Sequence, residues 1–275
     1  MTSEPRNPRI LIFDSGVGGL SIAREVRARL PGCDLIYASD NAAFPYGTKT
    51  EDELVSRVDA VLKALLAHYP ADIVVVACNS ASTLALPHIR AHFSQPIVGV
   101  VPAIKPAAER SQSRVIGLLA TPGTVSRAYT RELIESFASE CTVISVGSSE
   151  LVTLAEQQLR GQIPGHAAIQ TILAPFREHP RGPLMDTLVL ACTHFPLLRE
   201  QIAANLPGGV TLIDSGEAIA RRTGYWVEQL GLNPGSTPVQ QVALFTREDA
   251  GIEPLKPALA AFGFEHVDYV EVGWH

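Results

Sequence analysis

Two cysteines in matching contexts carry the chemistry of this chain. Val-Val-Val-Ala-Cys-Asn occupies 74–79 and Val-Leu-Ala-Cys-Thr-His occupies 189–194. Each is an apolar run of strand character that stops at an Ala-Cys, passes into small polar residues, and leads into a helical pattern, over 80–92 and 196–205. Cys78 and Cys192 are both expected where a buried strand ends and a helix begins. Open α/β sheets put their ligand sites there, at the carboxyl ends of the strands. A thiol at a helix N-terminus meets backbone N–H groups and the positive end of the dipole, which lowers its pKa from about 8.5. Either cysteine alone reads as a small buried apolar residue. The pair reads as two matched acid/base groups on opposite faces of one small substrate.

Other polar residues gather at the same kind of place. Phe-Asp-Ser-Gly-Val-Gly-Gly-Leu at 13–20 closes the first strand, and its glycines let backbone N–H groups approach an anion. No Gly-Lys-Ser/Thr follows, and the spacing is G-x-G-G, so neither a phosphate loop nor a dinucleotide fingerprint is present. Asp14 stands at the tip of that strand. The loop over 40–48 contains Pro45 and Gly47, and Tyr46 and the Gly47 N–H could bind a carboxylate, against the alternative of a packed tyrosine. Asn79 and Ser80 follow Cys78, and Thr193 and His194 follow Cys192. His194 adds a titratable partner to the second thiol. Glu156, in a helical run, reads by default as a surface carboxylate. The remaining histidines, His275 among them, share no pattern and read as surface or packing residues.

The elements that must position these groups alternate. Strands are expected at 9–13, 34–38, 72–77, 97–101, 114–120, 142–146, 186–191, 210–213 and 266–271, with a further one at 241–247. Helical patterns lie at 19–30, 51–68, 80–92, 103–110, 123–138, 148–160, 166–178, 196–205, 215–230 and 252–262. Short Val/Ile/Leu-rich strands alternating with helices predict an α/β fold with mostly parallel sheets. The stretch at 115–124 faintly echoes 10–19, which points to two similar halves, the second starting near Val101, with a cleft between two lobes.

Composition narrows the class. Apolar residues make up 46% and charged residues 18% of the 275, which favours a filled globular core. A net charge of −6 without a Lys/Arg run argues against nucleic acid and anionic membranes as main partners. The start of the chain has no signal-peptide core, and the apolar runs are too short to span a bilayer, so a cytoplasmic protein is expected. Cys33 and Cys141, the other two cysteines, read as incidental. No CxxC pair or His/Cys cluster has zinc spacing, and no Lys stands at a strand end as a Schiff-base candidate, so no metal or organic cofactor is expected.

Taken together, the segments FDSGVGGLS at 13–21, ASDNAAFPYGTKT at 38–50, VVACNSAST at 75–83, VGVVPAIKPAA at 98–108, GLLATPGTVSRAYT at 117–130, LACTHFPLL at 190–198 and IDSGEAIARRT at 213–223 closely resemble bacterial glutamate racemases of the aspartate/glutamate racemase superfamily. The match runs in order along nearly the whole chain. Ser80 departs from it, since the family more often has Thr, and beyond about Gly231 the match is loose. The resemblance implies two flavodoxin-like doubly wound domains, pseudo-symmetric, with the active site in the cleft between them: 1–100 plus 209–275 around Cys78, and 101–208 around Cys192. It implies cofactor-independent exchange of the Cα proton of glutamate, with Cys78 abstracting from the D and Cys192 from the L enantiomer. Asp14 is implied as helper of Cys78, and His194, backed by Glu156, as helper of Cys192. The implied substrate-binding set is Asp14, Ser15, Tyr46, Gly47, Asn79, Ser80, Thr193 and His194. D-Glutamate for peptidoglycan would be the product, a cell-wall precursor is one expected activator, and a homodimer is one expected assembly. Competing expectations are an aspartate racemase, a maleate isomerase type, and a binding protein that has lost turnover.

Overall fold

The computed structural model describes residues 6–273, so His275 lies outside the described residues. The chain forms two compact units. The first combines the residues up to Val100 with those from Gly216 onward, and the second is Val101–Ser215.

The first unit begins with β1 (Arg9–Asp14), α1 (Leu20–Arg29), β2 (Asp34–Ser39), α2 (Glu51–His68), β3 (Ile73–Val76), α3 (Asn79–His92) and β4 (Ile97–Gly99). The second unit holds α4 (Ile104–Arg110), β5 (Val115–Ala120), α5 (Pro122–Ser126), α6 (Ala128–Phe137), β6 (Thr142–Gly147), α7 (Glu150–Leu159), α8 (His166–Glu178), β7 (Thr187–Leu190), α9 (Arg199–Ala204) and β8 (Thr211–Ile213). The chain then returns to the first unit with α10 (Gly216–Gln229), β9 (Gln241–Phe245), α11 (Lys256–Ala261) and β10 (His266–Tyr269). No helix among the described residues is long and apolar enough to cross a membrane.

Every strand pair is parallel. The first sheet runs β10-β9-β2-β1-β3-β4 and the second β6-β5-β7-β8. Each therefore contains the same order, second-first-third-fourth, with its reversal between the first and third strands. That reversal is the switch point at which doubly wound sheets open a crevice beyond the strand ends. β1, β3, β5 and β7 flank the two switch points, and past its first residue each is buried throughout. Such strands must be apolar along their whole length, which is why they read as unbroken Val/Ile/Leu runs. The first core gathers Leu11, Phe13, Ile36, Val58, Val74, Val76 and Leu244. The second gathers Ile104, Ile116, Leu118, Val189 and Ile213.

Three expectations are corrected. The unit boundary set at 209 falls after Ser215 instead, because β8 pairs with β7 (Thr187↔Thr211) and so belongs to the second sheet. The single helix expected over 123–138 is two, broken at an extended Arg127. There the Thr130 hydroxyl donates to the Thr124 carbonyl (2.6 Å), an oxygen that a continuous helix would give to the N–H of residue 128. Third, only Cys78 caps an α-helix. After Cys192 the chain makes a turn and a 3-10 segment, Phe195–Leu198, before α9 begins. Pro196 has no N–H to return to the Cys192 carbonyl, which accepts from the Phe195 N–H at 3.1 Å instead.

Candidate active site

In the first unit the polar residues converge at the carboxyl ends of β1 and β3. Asp14, the last residue of β1, is fully buried, and its carboxylate accepts the N–H of Ser15 (2.7 Å) and the N–H of Gly19. The glycine-rich turn thus does cradle an anion, but the anion is the chain's own Asp14. Gly19 is needed for space, since a Cβ there would lie 2.9 Å from the Asp14 Cβ and 3.1 Å from the Ala77 Cβ. The Ser15 hydroxyl lies 3.7 Å from the Cys78 sulfur. Cys78 is buried at the N-terminal end of α3, and the helix is fastened to the sheet by Ser82, which donates to the Val76 carbonyl (2.9 Å) and accepts the Val100 N–H (3.0 Å). Asn79 and Ser80 open α3 and are buried. The Asn79 side-chain oxygen is buried with no hydrogen-bond partner. A buried polar atom of this kind costs free energy until a ligand or water reaches it.

Tyr46 is placed differently from the carboxylate-binding expectation. Its hydroxyl donates to Asp40 (2.6 Å). Asp40 also takes a bidentate guanidinium from Arg57 (2.7 and 2.9 Å) and the Thr246 hydroxyl (2.6 Å). Burial and the Asp40 charge hold the Tyr46 phenol well above its usual pKa, so it stays a donor, with its proton committed to Asp40. Gly47 follows in the short 3-10 turn Tyr46–Thr48 and keeps a partly exposed backbone. Sequence reasoning missed Asp40, Arg57 and Thr246. They are brought together from the ends of the paired strands β2 and β9 and from α2, and no local spacing announces that meeting.

In the second unit a linear chain of groups ends on Cys192. The Cys192 sulfur is 3.7 Å from His194 Nδ1, and His194 Nε2 is 2.8 Å from Glu156 Oε1. Glu156 Oε2 is 2.6 Å from Arg160 Nη1. Glu156 is therefore not a surface carboxylate. It shares the inward face of α7 with Leu151, Val152 and Ala155, the one-turn spacing of a buried stripe. Burial disfavours a charged His194, but hydrogen bonds and charge from Cys192 and Glu156 outweigh it and raise the imidazole pKa well above its ordinary value. Thr193, between thiol and imidazole, is buried. Arg160 was missed as well, although Glu156 and Arg160 stand four residues apart on a predicted helix, a spacing that pairs charges.

Cys33 and Cys141 join neither group. Burial, with Asp34 and Asp72 nearby, pushes the Cys33 thiol up to about 11, which leaves it inert at neutral pH. Among the described residues no three His, Cys, Asp or Glu side chains converge as a metal site.

Known proteins align with this arrangement along nearly the whole chain. A family model described as Asp/Glu/Hydantoin racemase matches residues 20–223. The glutamate racemase of Salmonella typhimurium is 48% identical over 270 residues, 98% of this chain and 94% of that one. The crystal structure of Escherichia coli glutamate racemase with L-glutamate and the activator UDP-MurNAc-ala superimposes with a TM-score of 0.92 at 47% identity, covering 98% of this chain and 100% of that one. The Thermus thermophilus glutamate racemase in complex with β-chloro-D-alanine gives a TM-score of 0.77 at 31% identity, with 98% of each chain covered.

Proposed function

This chain belongs to the Asp/Glu/hydantoin racemase family, and from that premise we propose that it interconverts L- and D-glutamate by passing the Cα proton between two thiols, Cys78 and Cys192. One observation carries the assignment of residues: each unit has a buried thiol directly after the third strand of the same parallel order, and each thiol has its own polar neighbour.

Racemisation breaks the Cα–H bond on one face and makes a new one on the other. One sulfur enters as thiolate, takes the α-proton and becomes a thiol. The opposite thiol gives its proton to the Cα carbanion and becomes the thiolate. Atoms and charge balance with no redox step. Cys78 takes the proton of D-glutamate with Ser15 and Asp14 as neighbours, and Cys192 takes that of L-glutamate with His194 and Glu156. Asn79 presents an unpartnered amide oxygen, an acceptor suited to the substrate's ammonium group, and Gly47, Ser80 and Thr193 supply neutral donors for its carboxylates. Donors fixed before the reaction stabilise charge as it develops without having to reorganise. On this reading the protein works in the cytoplasm and supplies D-glutamate for peptidoglycan.

The test is polarimetric. Purified protein incubated with L-glutamate should drive the circular dichroism signal to zero, and L-aspartate should give no comparable change. Cys78→Ser and Cys192→Ser should each slow the decay by about a hundredfold or more, the scale of one general acid/base group. Near-full activity in either variant would sink the two-thiol scheme.

An activator of the cell-wall precursor class fits the same reading. A cavity of about 630 Å³ in the first unit is lined by the end of α3, β4 and α10, with Arg90, Phe93, Arg222 and Trp226 on its walls. Neither arginine is paired with a carboxylate among the described residues, and Arg222 stacks on Trp226. Two guanidiniums without a carboxylate partner among the described residues, Arg90 donating to the Ile97 carbonyl and Arg222 lying over an aromatic ring, suit an anionic ligand that carries a base. The turnover rate measured with and without UDP-MurNAc-Ala decides it, and a rate unchanged at saturating ligand would remove the activator from the reading.

A further inference from the structure

Arg160 lies one helical turn beyond Glu156, at the C-terminal cap of α7. One guanidinium nitrogen reaches both the Glu156 carboxylate (2.6 Å) and the Glu156 backbone carbonyl (2.8 Å). The same residue is thereby held at two points, which leaves its other carboxylate oxygen aimed at His194. An exposed Glu–Arg pair four residues apart contributes little. This pair differs, because the Glu156 side chain is only 12% exposed and its second oxygen is bonded to a buried imidazole.

We infer that Arg160 is a positioning residue for the reaction: its guanidinium fixes the Glu156 carboxylate against His194 and keeps it anionic, so that a proton exchanged between Cys192 and His194 does not travel on to Glu156. The inference rests on the function proposed above. The step it protects is a transfer from the Cys192 S–H to His194 Nδ1, which gives thiolate and imidazolium, and its reverse. Glu156 must stay a carboxylate throughout, since a carboxyl that accepted the proton would stop stabilising the imidazolium. Two cations on opposite oxygens make that protonation unfavourable. Among the described residues, the titratable and charged groups that face His194 include Cys192 on its own turn and Glu156 on α7, with Arg160 behind Glu156.

The sign of the effect is fixed by charge. Removing a cation from this chain of groups raises the pH at which Cys192 ionises. Arg160→Gln and Arg160→Lys are compared with the parent protein by two measurements. One is the pH dependence of iodoacetamide addition at Cys192, located by mass spectrometry. The other is the pH dependence of kcat/KM for racemisation. In Arg160→Gln both acid limbs should move up by about half a pH unit or more, so that alkylation below the midpoint is about threefold slower. Arg160→Lys, which keeps the charge, should move back toward the parent. Arg160 is partly exposed, and thermal melts check that both variants fold. A purely structural role would lower the melting temperature of both variants and leave the alkylation profile in place. That unchanged profile in folded Arg160→Gln would overturn the inference. Absence of racemisation in the parent protein would instead overturn the proposed function, and the alkylation profile would still report on Arg160.

Discussion

His194 and Glu156, 38 residues apart in the chain, meet at 2.8 Å in a buried junction between the turn after β7 and the inward face of α7. The contact links the titration of a buried imidazole to the stability of the whole unit. In the unfolded chain His194 titrates near its ordinary value of about 6.5, and in the folded state well above it. A raised folded-state value favours folding in full below about pH 6.5. The contribution falls as pH rises from there and is gone once pH exceeds the folded-state value. Urea denaturation of the parent and of His194→Gln should therefore differ most at pH 6 and converge in alkaline buffer. A difference that grew with pH would contradict the charged imidazole.

The two helpers should leave separate kinetic signatures. An enzyme cannot alter the equilibrium between the enantiomers, so asymmetry must show in isotope effects. Weakening the helper of one thiol makes transfer at that thiol more rate-limiting. With α-deuterated substrates, His194→Asn should raise the isotope effect mainly for L-glutamate, and Asp14→Asn mainly for D-glutamate. Equal changes for both enantiomers in both variants would mean that the helpers are not assigned to separate thiols.

Gly19 is a test of space. Its φ of −61° is ordinary, so alanine meets no backbone strain, yet the added methyl would stand 2.9 Å from the Asp14 Cβ. Overpacking of this kind costs about 1–3 kcal/mol. Gly19→Ala should show that loss in urea unfolding, and a slower turnover as Asp14 is pushed from its N–H donors. A variant as stable and as fast as the parent would show that the turn yields freely.

Tyr46 separates a structural from a substrate role. Its hydroxyl donates to the buried Asp40, and a hydrogen bond to a charged group contributes about 1.5–3 kcal/mol. Tyr46→Phe should lower stability by about that amount and leave KM for glutamate within about twofold. A KM rise of tenfold with unchanged stability would return the hydroxyl to the substrate.

Much of this fold could be read in advance because its signals are local. The buried strands announce themselves as apolar runs, and α2 starts at Thr50 with the reciprocal Thr50–Glu53 cap that its sequence spells out. Both cysteines lie at the strand ends where the apolar runs placed them, and the strand expected at 241–247 forms as β9. What could not be read depends on side chains choosing between partners. The helix break at Arg127 comes with one threonine hydroxyl, that of Thr130, taking the Thr124 carbonyl, a choice that the nearby Pro122 and Gly123 do not announce. The turn after Cys192 follows from a single missing N–H at Pro196. The residues around Glu156 read only as a surface helix, because one carboxylate in a helix does not show which face it occupies, and it is the family resemblance that sets it behind His194. Asp40 was invisible as a hub, because Thr246, 206 residues away, supplies one of its bonds.

The division of the chain also sets an order of synthesis. Val101–Ser215 is continuous, so every strand of its sheet, including β8, exists once Ser215 has been made. The first sheet is not in that position. β2 gains its neighbour β9 only after Gln241–Phe245 emerges, and Arg57, which grips Asp40, donates to the carbonyls of Val272 and Gly273. A ribosome that stalls between the two points would carry a finished Cys192 unit beside an incomplete Cys78 unit. It would expose the edge of β2 and the underside of the Tyr46 loop to whatever lies nearby, so that translation speed through 216–273 bears on aggregation more than speed through the preceding hundred residues.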